Sequence, residues 1–280
     1  MREIELDLVT KEVERLCIES NYFICEDVLE KLKDSYEKEE STVGKNILGQ
    51  ILENDKIAAE EQVPICQDTG LAVIFLEVGT EVKINGDIYE AINEGVRRGY
   101  TNGYLRKSAV KHPLDRVNTK DNTPAIIHTK LVAGSDKIKI IMAPKGGGAE
   151  NMSTVKMLKP ADGIEGVKKF VVDFVKNASG NPCPPIFVGI GLGGTFEKAA
   201  LLAKQALFRD VNDESDNLID AKLEKDLLEL INKIGIGPMG LGGMTTAIAV
   251  KVESFPCHIA SLPLAININC HASRHKSVVL

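Results

Sequence analysis

Three of the six cysteines lie beside polar residues, at the edges of predicted strands and helices. Cys66 lies in PICQDTG, Cys183 lies between prolines in NPCPP, and Cys270 lies in NINCHASRH. Cys17 and Cys25 instead lie on apolar helical faces, where a cysteine usually serves as a small buried hydrophobic residue. Three loop thiolates could hold zinc, or a cubane iron–sulfur cluster in which the protein leaves one iron open, and their spacing does not choose between them.

Two glycine-rich segments could bring backbone N–H groups close to an anionic ligand. GIGLGGT (189–195) contains a GxGxxG pattern between a predicted strand and a predicted helix, which is typical of dinucleotide sites. The next segment, FRDVNDESDNL, offers no second parallel strand to carry a ribose-binding acid. KGGGAENMS (145–153) lacks the lysine of a phosphate-binding P-loop, and it could equally be a flexible turn from a strand to a helix.

Composition and charge exclude several classes of function. The chain has 280 residues, of which 44% are hydrophobic, enough for one large domain or two modest ones. A net charge of −6 favours neither nucleic acid nor an anionic membrane as a partner. Apolar runs such as LAVIFL (71–76) are far shorter than the ~18 residues of a membrane span, and the start MREIELDLVTKEVER is too charged for a signal peptide. We therefore expect a cytoplasmic protein, and in a reducing cytoplasm an even count of cysteines is no argument for disulfides.

The spacing of apolar residues predicts a helical N-terminal region followed by mixed strands and helices. Apolar positions recur every three or four residues through about residues 1–60, as they do in helices. LAVIFLEVG (71–79) is typical of a buried strand, and residues 86–99 return to helical spacing. Two strand candidates within residues 124–144 are split by a Gly-Ser-Asp turn, which predicts a hairpin.

The rest of the chain continues this mixture. A polar segment, residues 100–124, is too long for a plain connection, and long ordered loops in compact domains are usually functional. Further predicted elements are helices around 161–178, 194–209 and 217–234, a strand at IFVGI (186–190) and two strands in the tail. Because strands and helices alternate without a steady βαβ rhythm, the pattern favours an α+β, or irregular α/β, fold.

Five segments in a fixed order resemble one enzyme family. They are ICQDTG, LRKSAVKHPLDRVNTKDNTPA, PKGGGAENMS, NPCPPIFVGIGLGGT and the tail NCHASRH. Together they are similar to the iron–sulfur class I fumarases and their relatives, the L-tartrate dehydratases, from about residue 40 to the end. The likeness is to the α subunit, or N-terminal domain, and it implies one hydro-lyase α-subunit domain over residues 1–280.

The resemblance implies a role for individual residues. Cys66, Cys183 and Cys270 match the ligands of a [4Fe–4S] cluster whose fourth iron faces the substrate. The other matches are Gln67, Arg106 and Gly148 as substrate-binding residues, and Asp68 and His258 as catalytic residues. Arginine suits this task because its guanidinium can bind a carboxylate through two parallel hydrogen bonds.

The implied reaction is the reversible hydration of fumarate to L-malate, with the open iron acting as a Lewis acid. In this family the remaining substrate-binding cations and the presumed base belong to a β subunit or second domain. Since this chain ends at Leu280, directly after the last cysteine segment, we expect it to need that β subunit, in a hetero-oligomer, for activity.

Three alternatives stay open from the sequence. An L-tartrate dehydratase α subunit shares the cluster and differs in accommodating an additional hydroxyl group. A nicotinamide-dependent dehydrogenase would use the GxGxxG segment. A non-catalytic subunit would hold a structural metal, whose loss unfolds the chain.

Overall fold

The computed structural model describes residues 1–280. Its helices are α1 (Leu6–Tyr22), α2 (Glu26–Lys38), α3 (Thr42–Glu61), α4 (Ile88–Asn102), α5 (Gly147–Glu150), α6 (Gly163–Ala178), α7 (Phe196–Ala206) and α8 (Leu218–Asn232). Its strands are β1 (Arg2–Ile4), β2 (Leu71–Gly79), β3 (Val82–Ile84), β4 (Ile126–Val132), β5 (Ile138–Lys145), β6 (Thr154–Leu158), β7 (Ile186–Gly193), β8 (Ala247–Phe255), β9 (Leu262–Asn269) and β10 (Lys276–Val279). This mixture confirms the predicted α+β class, and α1 to α3 confirm the helical N-terminal region.

The chain forms two compact units. The first comprises Met1–Cys25, Asn54–Gly147 and Arg274–Leu280, and the second comprises Glu26–Glu53 and Gly148–Ser273. That residues 1–280 act as a single α-subunit domain stays a prediction. No helix of either unit combines the length and the apolar character needed to cross a membrane.

In the first unit, α1 and α4 pack together through their apolar faces. Val13, Leu16 and Cys17 on α1 are fully buried, at the spacing that one helix face requires. A Cβ at Gly95 of α4 would lie 2.6 Å from the Val13 Cβ, and a Cβ at Gly99 would lie 2.6 Å from the Cys17 Cβ. The two glycines therefore allow the helix backbones to approach closely. Cys17 is a core residue, as its apolar surroundings in the sequence predict.

The larger sheet of the first unit has the strand order β10-β5-β2-β4. β2 pairs antiparallel with β5 and parallel with β4, so β4 and β5 do not pair with each other. The predicted hairpin over residues 124–144 is therefore wrong. The physical reason is β2 itself: its residues 72–76 are buried, and it gains a hydrogen-bonded neighbour on each side by lying between the two strands.

The second unit is a sheet with helices on both faces. Its strand order is β6-β9-β7-β8, with β7 parallel to β8 and antiparallel to β9. One face packs against α6 and α8, and valine, leucine and isoleucine side chains of the sheet and of both helices form this core. The other face packs against the alanine-rich side of α7. Helices thus cover the sheet on both faces and fix its strands. The loops that contain Cys183 and Cys270 adjoin two of these strands, β7 and β9.

The GxGxxG pattern has a structural explanation in this unit. Gly189 and Gly191 lie within β7, where a Cβ would overlap the carbonyl oxygens of Ala203 and Ala199 on α7. The first two glycines of the pattern thus serve the close approach of a helix to a strand.

A stability measurement checks this explanation. We expect Gly191→Ala to lower the free energy of unfolding by about 3 kcal/mol, because its methyl group would overlap the backbone of α7. Gly148→Ala is the matched control, since a Cβ there would meet no atom within 4 Å. Urea denaturation of the two variants measures the difference; equal stabilities would contradict the packing role of Gly191.

Candidate active site

Three sequence motifs meet at one end of the sheet in the first unit. PICQDTG precedes β2, KGGG begins at the last residue of β5, and DNTP precedes β4. Leu71 pairs with Lys145 in the antiparallel ladder, which places Gly70 beside the start of the glycine run. Val73 pairs with Ile126 in the parallel ladder, so the residues before β4 reach the same end. The strand register therefore gathers motifs that are far apart in the sequence.

Asp68 connects the PICQDTG loop to the glycine run. Its Oδ1 accepts the N–H of Gly70 at 3.0 Å, and its Oδ2 accepts the N–H of Gly147 at 2.8 Å. A Cβ at Gly146 would lie only 3.1 Å from Oδ2. Gly70, at φ +68°, lies so close to Lys145 that a Cβ would be 2.6 Å from its backbone nitrogen. Glycine is required at position 70, because its φ is positive and the Lys145 backbone leaves no room for a Cβ. At position 146 a side chain would press against the Asp68 carboxylate.

Cys66 and Gln67 lie at the accessible edge of this loop. The Cys66 side chain is partly exposed, and that of Gln67 is exposed. The Cys66 Sγ accepts the N–H of Asp68 at 3.5 Å and donates to Gln67 Oε1 at 3.3 Å. Hydrogen bonds from the backbone to a ligand sulfur are one means by which proteins tune iron–sulfur clusters.

Arg106 belongs to the irregular segment that follows α4. Its side chain is exposed, and its carbonyl oxygen accepts the hydroxyl of Thr69 at 3.0 Å. The structure therefore brings the backbone of the predicted carboxylate-binding arginine to the loop that contains Gln67 and Asp68.

A second arginine supports the same loop, and the sequence-based predictions did not include it. Arg274 donates from Nη2 to the Asp68 carbonyl at 3.0 Å and to Asn21 Oδ1 at 3.2 Å. The Asn21 carbonyl in turn accepts the N–H of Ile65 at 2.9 Å. Arg274 lies within the tail motif NCHASRH, shortly after Cys270, so its place in a quoted motif was the available signal.

A buried carboxyl group lies in the electrostatic field of Arg274. Asp55 on α3 is 4% exposed. Burial raises the pKa of Asp55 to about 7, and the positive charge of Arg274 opposes that shift. The group therefore holds its proton far more strongly than an exposed aspartate, which lowers the energetic cost of burying it.

In the second unit, Cys183 and Cys270 are brought to the same end of the sheet. Cys183 precedes β7 and Cys270 follows β9, and because these strands are antiparallel the two loops lie side by side. The N–H of His271 donates to the Cys183 carbonyl at 3.2 Å. Cys183 has φ +55°, and the carbonyl of Pro184 accepts the N–H of Met239 at 2.8 Å. Neighbouring loops thus fix the backbone from which both thiols project.

The chemistry of three loop cysteines suits an iron–sulfur cluster, because thiolates are its usual protein ligands. Cys66, Cys183 and Cys270 are all partly exposed at strand-end loops, and no cysteine of the chain forms a disulfide. Burial raises the pKa of the Cys17 thiol, so that residue is a poor source of thiolate. No three Cys, His, Asp or Glu side chains converge on a point where one metal ion could bind.

The structure does not bring His258 together with Cys183 and Cys270. His258 is exposed between β8 and β9, at the end of the sheet where β7 ends, whereas Cys183 lies where β7 begins. At the usual rise per residue, an eight-residue strand separates the two ends by about 25 Å. Gly148 is exposed on α5, and a Cβ there would meet no atom within 4 Å, so packing does not explain its glycine.

Known proteins resemble this chain over most of its length. The sequence model of the family described as Fumarate hydratase (Fumerase) matches residues 10–279. A protein of Methanocaldococcus jannaschii named "Putative L(+)-tartrate dehydratase subunit alpha" is 48% identical, over 91% of this chain and 92% of its own length. The L(+)-tartrate dehydratase subunit alpha of Escherichia coli K12 is 32% identical, over 91% of this chain and 85% of its own length.

The family match covers the loops at the strand ends that are described above. It includes the PICQDTG loop, the glycine run, the two loops of Cys183 and Cys270, and the tail with Arg274. The chain belongs to the fumarate hydratase (Fumerase) family of hydro-lyases.

Proposed function

We propose that this chain is the α subunit of an iron–sulfur hydro-lyase whose substrate is L-tartrate. The observation that carries the proposal is the shared name of relatives that align with 91% of the chain, which is L(+)-tartrate dehydratase subunit alpha. The sequence-based preference for fumarate rests on motifs that both enzymes share, so these names favour the tartrate alternative over it. Hydration of fumarate to L-malate is the second candidate, and the family description supports it.

Cys66, Cys183 and Cys270 are the proposed ligands of a [4Fe–4S] cluster. What supports this assignment is their common setting, since each is a partly exposed thiol in a loop at a strand end. When bound, the cluster supplies a Lewis-acidic iron that makes a substrate hydroxyl a better leaving group.

Other residues of the chain would hold the substrate. Arg106 presents an exposed guanidinium that suits a carboxylate, with two parallel hydrogen bonds. The amide of Gln67 can both donate to and accept from a substrate hydroxyl. Gly148 is exposed and carries no Cβ, so a ligand can approach its backbone closely.

Asp68 is the proposed catalytic carboxylate of this chain. Each of its oxygens accepts one backbone N–H and keeps a lone pair for a further hydrogen bond or a proton. The two hydrogen bonds fix its orientation, which is a requirement for proton transfer at a defined atom. His258 is left out of the proposed site because it lies at the opposite end of its sheet from Cys183 and Cys270.

A β subunit completes the enzyme in this proposal. The name "subunit alpha" of the relatives supports a partner, and a hetero-oligomer follows from it. A dicarboxylate carries two negative charges, while the chain itself has a net charge of −6. The partner would supply further cations, so the chain alone should bind the cluster and turn over little substrate.

Substrate preference tests the proposal. With the β subunit, under anaerobic conditions, we expect kcat/KM to be at least ~10-fold higher for L-tartrate than for L-malate or fumarate, because a site shaped for two hydroxyl groups leaves polar atoms unpaired with one. Steady-state kinetics on the three substrates measure this ratio. A ratio that favours L-malate would support the second candidate and overturn the first.

A further inference from the structure

The segment that carries Arg106 has no helix or strand to position it. Between α4 and β4, residues 103–125 form only an isolated bridge, in which Val110 pairs with Asn118. An arginine reaches its ligand through a long side chain, so the position of its guanidinium depends on where its backbone starts. The contacts that fix this backbone therefore decide where the guanidinium can lie.

One of these contacts is the hydroxyl of Thr69. Thr69 is 1% exposed and lies next to Asp68, and its Oγ1 donates to the carbonyl of Arg106 at 3.0 Å. The Thr69 carbonyl itself accepts the hydroxyl of the buried Tyr100 at 2.7 Å. Thr69 thus connects Arg106 to a part of the PICQDTG loop that the core already holds.

The second contact is the side chain of Asn122. Its Oδ1 accepts the N–H groups of Ser108 at 2.8 Å and Ala109 at 3.0 Å, and its Nδ2 donates to the carbonyl of Gly70 at 3.1 Å. Asn122 is fully buried and has φ +63°, a conformation that asparagine tolerates better than most residues. One amide thus joins the segment just after Arg106 to the residue that ends the PICQDTG loop.

We propose that Thr69 and Asn122 are positioning residues that hold Arg106 at a fixed place beside Gln67 and Asp68, and so set the affinity for the substrate carboxylate. The inference rests on the proposed function, because Arg106 is its carboxylate ligand. The two side chains attach the Arg106 segment on both sides, through the Arg106 carbonyl and through the amides of residues 108 and 109. Both attachments lead to residues 69 and 70 of one loop.

The primary test is Thr69→Val in the anaerobic complex with the β subunit. The variant keeps the shape and replaces the hydroxyl with a methyl group, so we expect KM for L-tartrate to rise about tenfold with kcat nearly unchanged. Thr69→Ser restores the donor and should return KM close to that of the wild type. Thr101→Val is the matched control. It removes a comparable hydrogen bond, in which the Thr101 hydroxyl donates to the Arg97 carbonyl at 2.8 Å on the exposed side of α4.

A double-mutant cycle shows whether Thr69 acts through Arg106. In an Arg106→Ala background there is no guanidinium for Thr69 to position. Thr69→Val should then change KM less than twofold. An equal effect of Thr69→Val in both backgrounds would overturn the inference, as would an unchanged KM in the single variant.

Hydrogen exchange gives a readout that does not depend on turnover. Asn122→Asp keeps the acceptor for residues 108 and 109 but loses the donor to Gly70, and Thr69→Val frees the Arg106 carbonyl. Both variants should speed amide exchange in residues 105–109 and leave α4 protected, and unchanged exchange there would overturn the inference. If the wild-type complex turns over none of L-tartrate, L-malate and fumarate, the proposed function fails, and the exchange result still decides the positioning role.

Discussion

Cys183→Ser should lower the activity of the assembled enzyme at least ~10³-fold, because a serine oxygen is a poor iron ligand and the cluster would be lost or displaced. The variant should remain folded, since the backbone at Cys183 is held by its own loop contacts to His271 and by the start of β7. Anaerobic iron and sulfide analysis, next to an activity assay and a circular dichroism melt, measures all three properties.

The control for this variant is Cys257→Ser. Cys257 is exposed in the connection between β8 and β9, at the opposite end of the sheet from Cys183, so its loss should leave the iron content and activity as in the wild type. If Cys183→Ser retained full iron and full activity, Cys183 would not be a ligand. If it lost its iron and also unfolded, the metal would be structural rather than catalytic.

Arg106→Ala should lower kcat/KM by about 10²- to 10³-fold, because it removes a charged hydrogen-bonding partner of the substrate carboxylate. Arg106→Lys should recover only a small part, since an ammonium group cannot make the two parallel hydrogen bonds of a guanidinium. Steady-state kinetics of both variants in the complex measure the loss.

Lys111→Ala controls for the general charge of the segment. Lys111 is exposed in the same irregular region, and its removal should change kcat/KM less than threefold because exposed charges at a distance are screened. If the two alanine variants lost equal amounts, Arg106 would contribute only long-range attraction, and its role as a direct ligand would be wrong.

The elements that a sequence predicts well here are those with a strong local pattern. LAVIFLEVG matches β2 at both ends, and the helical spacing of residues 217–234 matches α8 closely. The pairing of strands was not predictable in the same way. The Gly-Ser-Asp turn between β4 and β5 indicates a hairpin locally, but the buried strand β2 lies between them, and no local signal records a competition for hydrogen bonds among distant segments.

In the candidate site too, the sequence indicated the residue types but not the contacts among them. The motifs supplied Cys66, Asp68 and Arg106. Only the strand register explains why the PICQDTG loop meets the glycine run, and the Thr69 hydroxyl brings the Arg106 backbone to that loop. Thr69 and Asn122 were inconspicuous in the sequence because threonine and asparagine are common in turns, and their function depends on partners far along the chain. The GxGxxG pattern was ambiguous for a related reason, since strand glycines also permit close helix packing.

Iron and sulfide analysis of the anaerobically purified complex, combined with Mössbauer spectroscopy before and after addition of L-tartrate, decides whether this chain holds a substrate-binding cluster. We expect about four irons and four sulfides for each copy of this chain, with the spectrum of a single iron changed by L-tartrate. A metal content of one zinc, or four irons whose spectra do not respond to L-tartrate, L-malate or fumarate, would contradict it.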